Sequence, residues 1–290
     1  KLLASARSAN LKIEVDGQEY TVEEATPQSF AGVDFAFFSA GEAISKELGP
    51  EAVKRGAVVI DNSNAFRMDP EVPLVVPEVN PEALSQHRGL IANPNCSTIQ
   101  MVVALQPLHA AAGLKRIVAA TYQAVSGAGK EAVDELKAQC RAALDGQEIV
   151  AERIPTKDAV RHHQIAFNLV PQLDVFVEDG YCKEELKMVN ETRKIMGLPE
   201  LAVTATTVRV PVVNGHSMAL NVELQKPLSP EEAREALSRA PGVKVMDDPA
   251  DLLYPMPLMA SGRDEVFVGR IRPDHSVASG LNLWVVADNI

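Results

Sequence analysis

The chain has 290 residues, 46% of them hydrophobic, which is enough for about two domains with separate cores. Its 28 Lys and Arg residues against 39 Asp and Glu give a formal net charge of −11, which repels a phosphate backbone, so we expect no nucleic-acid partner. No apolar stretch approaches the ~18 residues of a membrane helix, and three scattered cysteines are too few for a disulfide framework. These features predict a soluble protein of the reducing cytoplasm, without a membrane partner.

The first part of the chain alternates strand and helix. Residues 1–6 predict a strand already in progress, so the chain is expected to begin within a domain. A second strand, over residues 33–38, ends at Ser39 and Gly41 and is followed by a helix over residues 42–55 and a buried strand over residues 57–60. This alternation predicts a parallel sheet, which binds ligands just past its strand ends.

The rest of the chain mixes helices and strands. Helical spacing occurs in four segments, residues 97–112, 131–144, 183–196 and 230–239. Strands are predicted over residues 116–125, 202–213, 216–225, 265–272 and 277–287. Asn214 and Gly215 form a hairpin signal between two of these strands. We therefore predict a mixed sheet with helices on one side between about residues 97 and 279.

Cys96 is the candidate nucleophile. It follows the sequence NPN at the start of a predicted helix, where unpaired backbone N–H groups and the helix dipole favour a thiolate. The alternative for any one cysteine is a small packing residue. We keep that interpretation for Cys140 and Cys182, which lack such a setting.

His216 is the candidate acid/base. A thiolate that attacks a carbonyl usually needs a proton acceptor and donor, and His216 lies at a turn rather than within an apolar face. The alternative is an ordinary surface histidine. His162 and His163 are adjacent and have no partner at ligand spacing, so no metal site is predicted.

Charged residues in the second half leave further alternatives open. Arg209 lies among apolar residues of a strand, so it either faces solvent or binds an anion. Glu184 and Lys187 share one helix face, and Glu191 and Lys194 repeat their offset seven residues later. The alternative for that face is a set of exposed salt bridges.

A glycine-rich segment at residues 126–129 predicts a tight loop between a strand and a helix. Residues 127–132 fit the dinucleotide pattern G-x-G-x-x-[GA], but a single match is weak evidence. We interpret this segment as a loop that approaches the ligand, not as a second dinucleotide fold.

Three motifs occur in order along the chain: NPNCST at residues 93–98, EELKM at 184–188 and RVPVVNGHS at 209–217. With these motifs and with residues 2–9, 63–68 and 284–289, the chain resembles the aspartate-semialdehyde dehydrogenases nearly from end to end.

The resemblance implies an α/β fold of two domains. Residues 1–96 would form a Rossmann-like parallel sheet domain without its first strand and helix, because the family's opening glycine-rich segment has no counterpart here. Residues 97–279 would form an α+β catalytic and dimerisation domain with a mixed sheet. Residues 280–290 would return to the dinucleotide-binding domain, without the family's closing helix.

The resemblance also implies an activity. It is the NADP-dependent reductive dephosphorylation of L-aspartyl 4-phosphate to L-aspartate 4-semialdehyde and phosphate, a step toward lysine (through diaminopimelate), methionine and threonine. By matching residues, Cys96 would form a thioester, His216 would be the acid/base, and Gln123 would orient the substrate. The implied substrate-binding residues are Arg67, Asn95, Glu184, Lys187 and Arg209. The implied cofactor-binding residues are Arg7 and Ser8, at the 2′-phosphate that favours NADP, with Ser39, Gly41, Ser126, Gly127 and Asn289.

The same resemblance implies a homodimer or homotetramer with a small-molecule substrate, and it leaves two alternatives open. One is a related acyl-phosphate reductase, such as N-acetyl-glutamyl-phosphate reductase. Glu184 separates the two, because a free α-amino group needs a carboxylate and an acetylated one does not. The other alternative is a catalytically silent, truncated dinucleotide-binding fragment.

Overall fold

Parallel strands organise the first of two units, Lys1–Pro94 and Asn95–Ile290, in the computed structural model of residues 1–290. The elements of the first unit are β1 (Leu2–Ala4), β2 (Lys12–Val15), β3 (Gln18–Glu24), β4 (Phe35–Phe38), α1 (Glu42–Lys54), β5 (Val58–Asp61) and β6 (Leu90–Ala92). Strands β4, β5 and β6 pair in parallel in that order, which confirms the predicted parallel sheet. Strand β3 lies between β1, which is parallel to it, and β2, which is antiparallel.

Helix α1 covers the apolar side of the sheet β4–β5–β6. Leu48 and Ala52 of the helix and Val59 of β5 belong to one buried cluster. Beyond the carboxyl end of the sheet, Asn93 donates from Nδ2 to Oδ1 of Asn62 at 2.8 Å. The polar residues that follow the strands therefore gather at one edge of the sheet, as expected for parallel strands.

A mixed sheet with packed helices forms the second unit. Its elements are α2 (Cys96–Ala112), β7 (Leu114–Gln123), α3 (Lys130–Leu144), α4 (Lys183–Met196), β8 (Ala202–Arg209), β9 (His216–Leu224), α5 (Pro230–Ser238), β10 (Val243–Val245), α6 (Pro257–Ala260), β11 (Val266–Pro273) and β12 (Gly280–Ala287). The strand order is β10-β11-β12-β9-β7-β8, with β7 parallel to β8 and β10 parallel to β11. The predicted mixed sheet is confirmed.

The predicted hairpin at Asn214 and Gly215 is wrong. Strands β8 and β9 do not pair, because β7 lies between them, parallel to β8 and antiparallel to β9. The connecting segment crosses the end of β7, where the N–H groups of Val125 and Ser126 donate to the carbonyls of Val212 and Val213 at 2.8 and 3.1 Å. This crossing places the ends of three strands side by side.

Strand β12 is an inner strand of the sheet. All eight of its residues are in register with β9, and β11 pairs along its other edge. Residues 280–287 therefore pair within the sheet of the second unit, although the sequence predicts residues 280–290 as a segment that returns to the dinucleotide-binding domain. No helix in the structure combines the length and the apolar character of a membrane span.

Candidate active site

Helix α2 begins at Cys96, which confirms the predicted position of this thiol at a helix N-terminus. Asn95 caps the helix, because its Oδ1 accepts the N–H groups of Ser97 at 3.0 Å and Thr98 at 3.1 Å. A side-chain cap of this kind satisfies backbone donors that have no partner inside the helix. The thiol is therefore held by a fixed backbone turn at the positive end of the helix dipole.

Glu184 of α4 connects three neighbouring side chains. Its Oε1 accepts from Nδ2 of Asn95 at 2.8 Å and from Nε2 of Gln123 at 3.3 Å. Its Oε2 lies 3.3 Å from Nζ of Lys187. Glu184 and Glu191 are both buried, so the alternative of an exposed salt-bridged face is wrong.

Lys187 is held in its charged form. Nζ donates to Oδ2 of Asp174 at 2.9 Å in addition to its contact with Glu184. Burial lowers the pKa of Lys187, but the two carboxylates outweigh it and the pKa is raised. Burial also acts to raise the pKa of Asp174, and the ammonium of Lys187 outweighs it, so that pKa is lowered. The pair therefore stays ionised near neutral pH.

Arg209, the last residue of β8, is 6% exposed, so the solvent-facing alternative is wrong. Its Nη1 donates to the carbonyl of Ala124 at 2.7 Å, whereas Nε is buried without a hydrogen-bond partner. Burial lowers the pKa of Arg209, and the charges of Glu184 and Cys96 oppose that shift. A buried guanidinium with an unused donor is suited to an anion.

His216, the first residue of β9, is fully buried, so it is not a surface histidine. Burial and the charge of Arg209 lower the pKa of His216 to about 3, against an opposing contribution from Asp288. Nδ1 accepts the N–H of Ala124 at 3.1 Å, so the neutral ring carries its proton on Nε2. Nε2 is buried and has no partner, which leaves it available as a donor.

Gly127 lies directly against both basic side chains. A Cβ added to it would lie 3.2 Å from Nη1 of Arg209 and 3.2 Å from Cε1 and Nε2 of His216. The short 3₁₀ turn Val125–Ala128 therefore approaches this site as closely as a glycine permits.

A polar network continues from that turn. Ser126 Oγ donates to Oδ1 of Asn214 at 3.0 Å and accepts from Nδ2 of Asn289 at 2.9 Å. Oδ1 of Asn289 accepts the N–H of Gly215 at 2.9 Å. This network joins the turn to the residue before His216 and to the segment that follows β12.

The predicted residues of the first unit lie past the ends of its strands. Gly41 caps α1 with a φ of 90°, and a Cβ at this position would meet no atom within 4 Å. Ser39 is exposed beside it, and Arg67 is buried, with Nη2 donating to the carbonyl of Asn62 at 2.9 Å. A helix start that has no side-chain cap, with open space beside its cap glycine, suits a phosphate group.

Arg7 and Ser8 follow β1. Arg7 is exposed, and the N–H of Ser8 donates to the carbonyl of Ser5 at 2.9 Å in a tight turn.

Sequence reasoning missed two residues that support the site. The Glu191 carboxylate accepts the N–H of Asn95 at 2.7 Å, and Asp174 holds Lys187. The sequence did contain a signal for Glu191, because Glu191 and Lys194 repeat the spacing of Glu184 and Lys187 on the same helix. Asp174 lies in a loop with no pattern that marks it.

Comparisons with known proteins agree with this arrangement. Residues 1–87 match the NAD binding domain of semialdehyde dehydrogenases, and residues 105–290 match their dimerisation domain. Aspartate-semialdehyde dehydrogenase of Bacillus subtilis is 55% identical over 290 residues, and that of Aquifex aeolicus is 57% identical over 293; each comparison covers 100% of this chain and 84% of the relative.

A solved structure shows the same fold. The crystal structure of aspartate semialdehyde dehydrogenase II from Vibrio cholerae complexed with ASA is 44% identical, with a TM-score of 0.92 over 99% of this chain and 84% of that one. The resemblance drawn from the motifs is confirmed, and so is the α/β fold with a Rossmann-like domain. The chain belongs to the aspartate-semialdehyde dehydrogenase family.

Proposed function

We propose that Cys96 forms a thioester with the aspartyl group during the reaction of this dehydrogenase. The observation that carries the proposal is a chain of contacts: Arg209 and His216 both hydrogen-bond to the main chain of Ala124. Glu184 hydrogen-bonds to Gln123, next to Ala124, and to Asn95, next to Cys96. Different elements of the second unit, α2, α4, β9 and β8, carry Cys96, Glu184, His216 and Arg209 respectively. A nucleophile, an acid/base, a carboxylate and a guanidinium in one place meet the requirements of acyl transfer to sulfur.

The reductive direction starts with attack of the Cys96 thiolate on the C4 carbonyl of L-aspartyl 4-phosphate. The S–C bond forms, the C–O bond to phosphate breaks, and phosphate leaves. When bound, a nicotinamide dinucleotide would supply a hydride to the thioester carbon. The former carbonyl oxygen then carries the negative charge, and collapse of this thiohemiacetal anion breaks the S–C bond, returns the Cys96 thiolate and releases the aldehyde.

His216 acts through Nε2 in this scheme. Because Ala124 occupies Nδ1, the neutral ring presents an N–H at Nε2 to the oxygen that becomes negative at the reacting carbon. A buried donor stabilises such an oxygen more strongly than water does. Gln123, held by Glu184 at 3.3 Å, orients the acyl group.

The substrate's charges match the rest of the site. Arg209 binds the α-carboxylate through its fork, and Glu184 binds the α-amino group. Asn95 and Lys187 bind the phosphate, and the same role for Arg67, in the first unit, follows from its matching motif alone. The buried carboxylate of Glu184 favours a free amino group over an acetylated one, and therefore the aspartyl substrate over an N-acetylglutamyl substrate.

NADP is the proposed dinucleotide. The exposed guanidinium of Arg7, with Ser8, would bind the 2′-phosphate that NAD lacks. Ser39 and Gly41 would contact the dinucleotide from the first unit, and Ser126, Gly127 and Asn289 would contact it from the second. The residues present fit the group, because Gly41 leaves free space in front of α1.

The match of residues 105–290 to a dimerisation domain supports a homodimer, and a homotetramer would be a pair of such dimers. We place the catalytic and dimerisation domain in residues 95–290, the dinucleotide-binding domain in residues 1–94, and the protein in the cytoplasm.

The test is a phosphate-dependent assay with aspartate semialdehyde and NADP, which follows NADPH formation in the purified protein and in Cys96→Ser. We expect turnover that requires phosphate in the wild type and none in the variant, with unchanged circular dichroism. Wild-type rates in Cys96→Ser would remove Cys96 from the mechanism. A matched variant, Cys140→Ser, controls for loss of a thiol elsewhere.

A further inference from the structure

The N–H of Asn95, the cap residue of helix α2, donates to an acceptor outside that helix. Oδ1 of Asn95 accepts hydrogen bonds from the N–H groups of Ser97 and Thr98. In a capping box, a Glu or Gln three residues after the cap returns a side-chain oxygen to the N–H of the cap residue. That position in α2 is Thr98, whose hydroxyl contacts Oδ1 of Asn95 at 3.5 Å, and the Asn95 N–H has its acceptor outside the helix.

Helix α4 supplies this acceptor. Oε2 of Glu191 lies 2.7 Å from the Asn95 nitrogen, 96 positions away in sequence, and Glu191 is only 1% exposed. A charge buried this deeply is costly unless it is hydrogen-bonded. The same helix also provides Glu184, which binds the Asn95 side chain at 2.8 Å. Two carboxylates of α4, seven residues apart, therefore hold the main chain and the side chain of the residue that precedes Cys96.

We infer that Glu191 is a positioning residue for Cys96: its carboxylate completes the cap of α2 from a neighbouring helix and fixes the backbone from which the thiol projects. This inference rests on the proposed role of Cys96. Glu191 acts through Asn95, and the inference assigns it no contact with substrate. Its function is to accept a hydrogen bond, so a neutral side chain with an oxygen in the same place should serve nearly as well.

Two variants separate the effect of the hydrogen-bond acceptor at position 191 from the effect of side-chain size. Glu191→Gln keeps an oxygen at the same reach, and Glu191→Met keeps similar size without a good acceptor. We expect kcat of Glu191→Met to fall about 100-fold, as for a reacting group displaced by about 1 Å, with little change in KM for aspartate semialdehyde. Glu191→Gln should stay within about 10-fold of the wild-type kcat, because a neutral acceptor forms a weaker but similarly placed bond.

A second readout reports on the bond itself. Amide hydrogen exchange of the peptide that contains residues 93–98 should be faster in Glu191→Met and near wild type in Glu191→Gln. Asp247 provides the matched control, because its buried carboxylate also accepts a backbone N–H, that of Ile271 at 3.2 Å. Asp247→Asn and Asp247→Leu should leave both kcat and exchange at residues 93–98 unchanged.

The outcomes are distinguishable. Equal kcat in folded Glu191→Gln and Glu191→Met would overturn the inference, and so would a loss of more than about 10-fold in Glu191→Gln with normal exchange at residues 93–98. The second criterion still applies if the methionine variant fails to fold. Activity in Cys96→Ser would instead defeat the proposed function, whatever the Glu191 variants do.

Discussion

The main chain of Ala124 hydrogen-bonds to two basic side chains at once. Its carbonyl accepts from Arg209 and its N–H donates to His216. The sequence marked both residues as candidates but left a solvent-exposed alternative for each. It could not exclude those alternatives, because burial of a charged residue depends on what the rest of the chain packs over it.

Arg209→Lys tests the guanidinium fork. Lysine keeps the charge, but it lacks the planar guanidinium that can donate to the carbonyl of Ala124 and to both oxygens of a carboxylate at once. We expect KM for aspartate semialdehyde to rise at least about tenfold, with a smaller change in kcat. Arg263→Lys, at an exposed ion pair with Glu265, is the control. An unchanged KM in Arg209→Lys would show that the α-carboxylate is bound elsewhere.

His216 should make stability depend on pH. Its pKa falls from 6.5 in the unfolded chain to about 3 in the fold, so between these values the unfolded state binds a proton that the native state does not. The neutral histidine's stabilising contribution is therefore complete above about pH 6.5 and is lost as the pH falls toward 3. We predict that the free energy of unfolding drops more between pH 7.5 and 5 in the wild type than in His216→Gln, by about 2 kcal/mol. Urea unfolding at both pH values measures this difference, and parallel pH dependence of the two proteins would contradict it.

Gly127→Ala tests the closeness of the turn. The added methyl group would meet Arg209 and His216 at 3.2 Å, so at least one of them must move by a few tenths of an ångström. We expect kcat/KM to fall about tenfold, since small displacements of reacting groups are costly. Ala128→Ser, at the exposed neighbouring position, should have wild-type kinetics. Full activity in Gly127→Ala would mean that neither side chain is held as tightly as described.

At the scale of elements, helices were more predictable than strand pairing. Helix α4 spans the predicted residues 183–196, and α2 begins one residue before the predicted start. Strands β2 and β3 were not predicted, although Asp16 and Gly17 form a turn with positive φ between them. Nearly every residue of this hairpin is exposed, so it lacks the alternation that identifies a half-buried strand. The hairpin predicted at Asn214 is wrong for another reason. The turn residues carry no information on whether a third strand, here β7, lies between the two strands that they connect.

The cap of α2 gives a prediction at this scale. Asn95→Ala removes both the cap oxygen and the donor to Glu184, whereas Asn95→Ser keeps a cap oxygen and removes only the long amide donor. We expect Asn95→Ala to be less stable than Asn95→Ser by about 1 kcal/mol in chemical denaturation. Both should lose most activity, because Glu184 loses a partner in each. Equal stability of the two variants would show that the cap contributes little.

At the scale of the whole molecule, the candidate residues divide between two units. Those proposed to bind the dinucleotide phosphates lie in Lys1–Pro94, and those proposed for thioester chemistry lie in Asn95–Ile290. Ordered motifs from residue 2 to residue 289 allowed the family and the fold class to be predicted. The contacts within the site could not be predicted from the sequence. They join residues up to 96 positions apart, and they depend on how α2 packs against α4.

Arg7→Ala tests the cofactor assignment in the first unit. Loss of the guanidinium should raise KM for NADP about tenfold or more and leave KM for NAD and for aspartate semialdehyde unchanged, because only NADP carries a 2′-phosphate. Arg88→Ala, at an exposed ion pair with Glu71, is the matched control. Equal effects on NADP and NAD would refute the proposed 2′-phosphate contact.

The most direct measurement mixes the enzyme with L-aspartyl 4-phosphate in the absence of reduced nicotinamide, quenches in acid, and locates the acyl group by peptide mass spectrometry. The account predicts rapid release of phosphate, equal in amount to enzyme, with the acyl group on the peptide that carries Cys96 and on neither Cys140 nor Cys182. It also predicts that Cys96→Ser shows neither. Phosphate release without acylation of Cys96, or acylation of another residue, would contradict it.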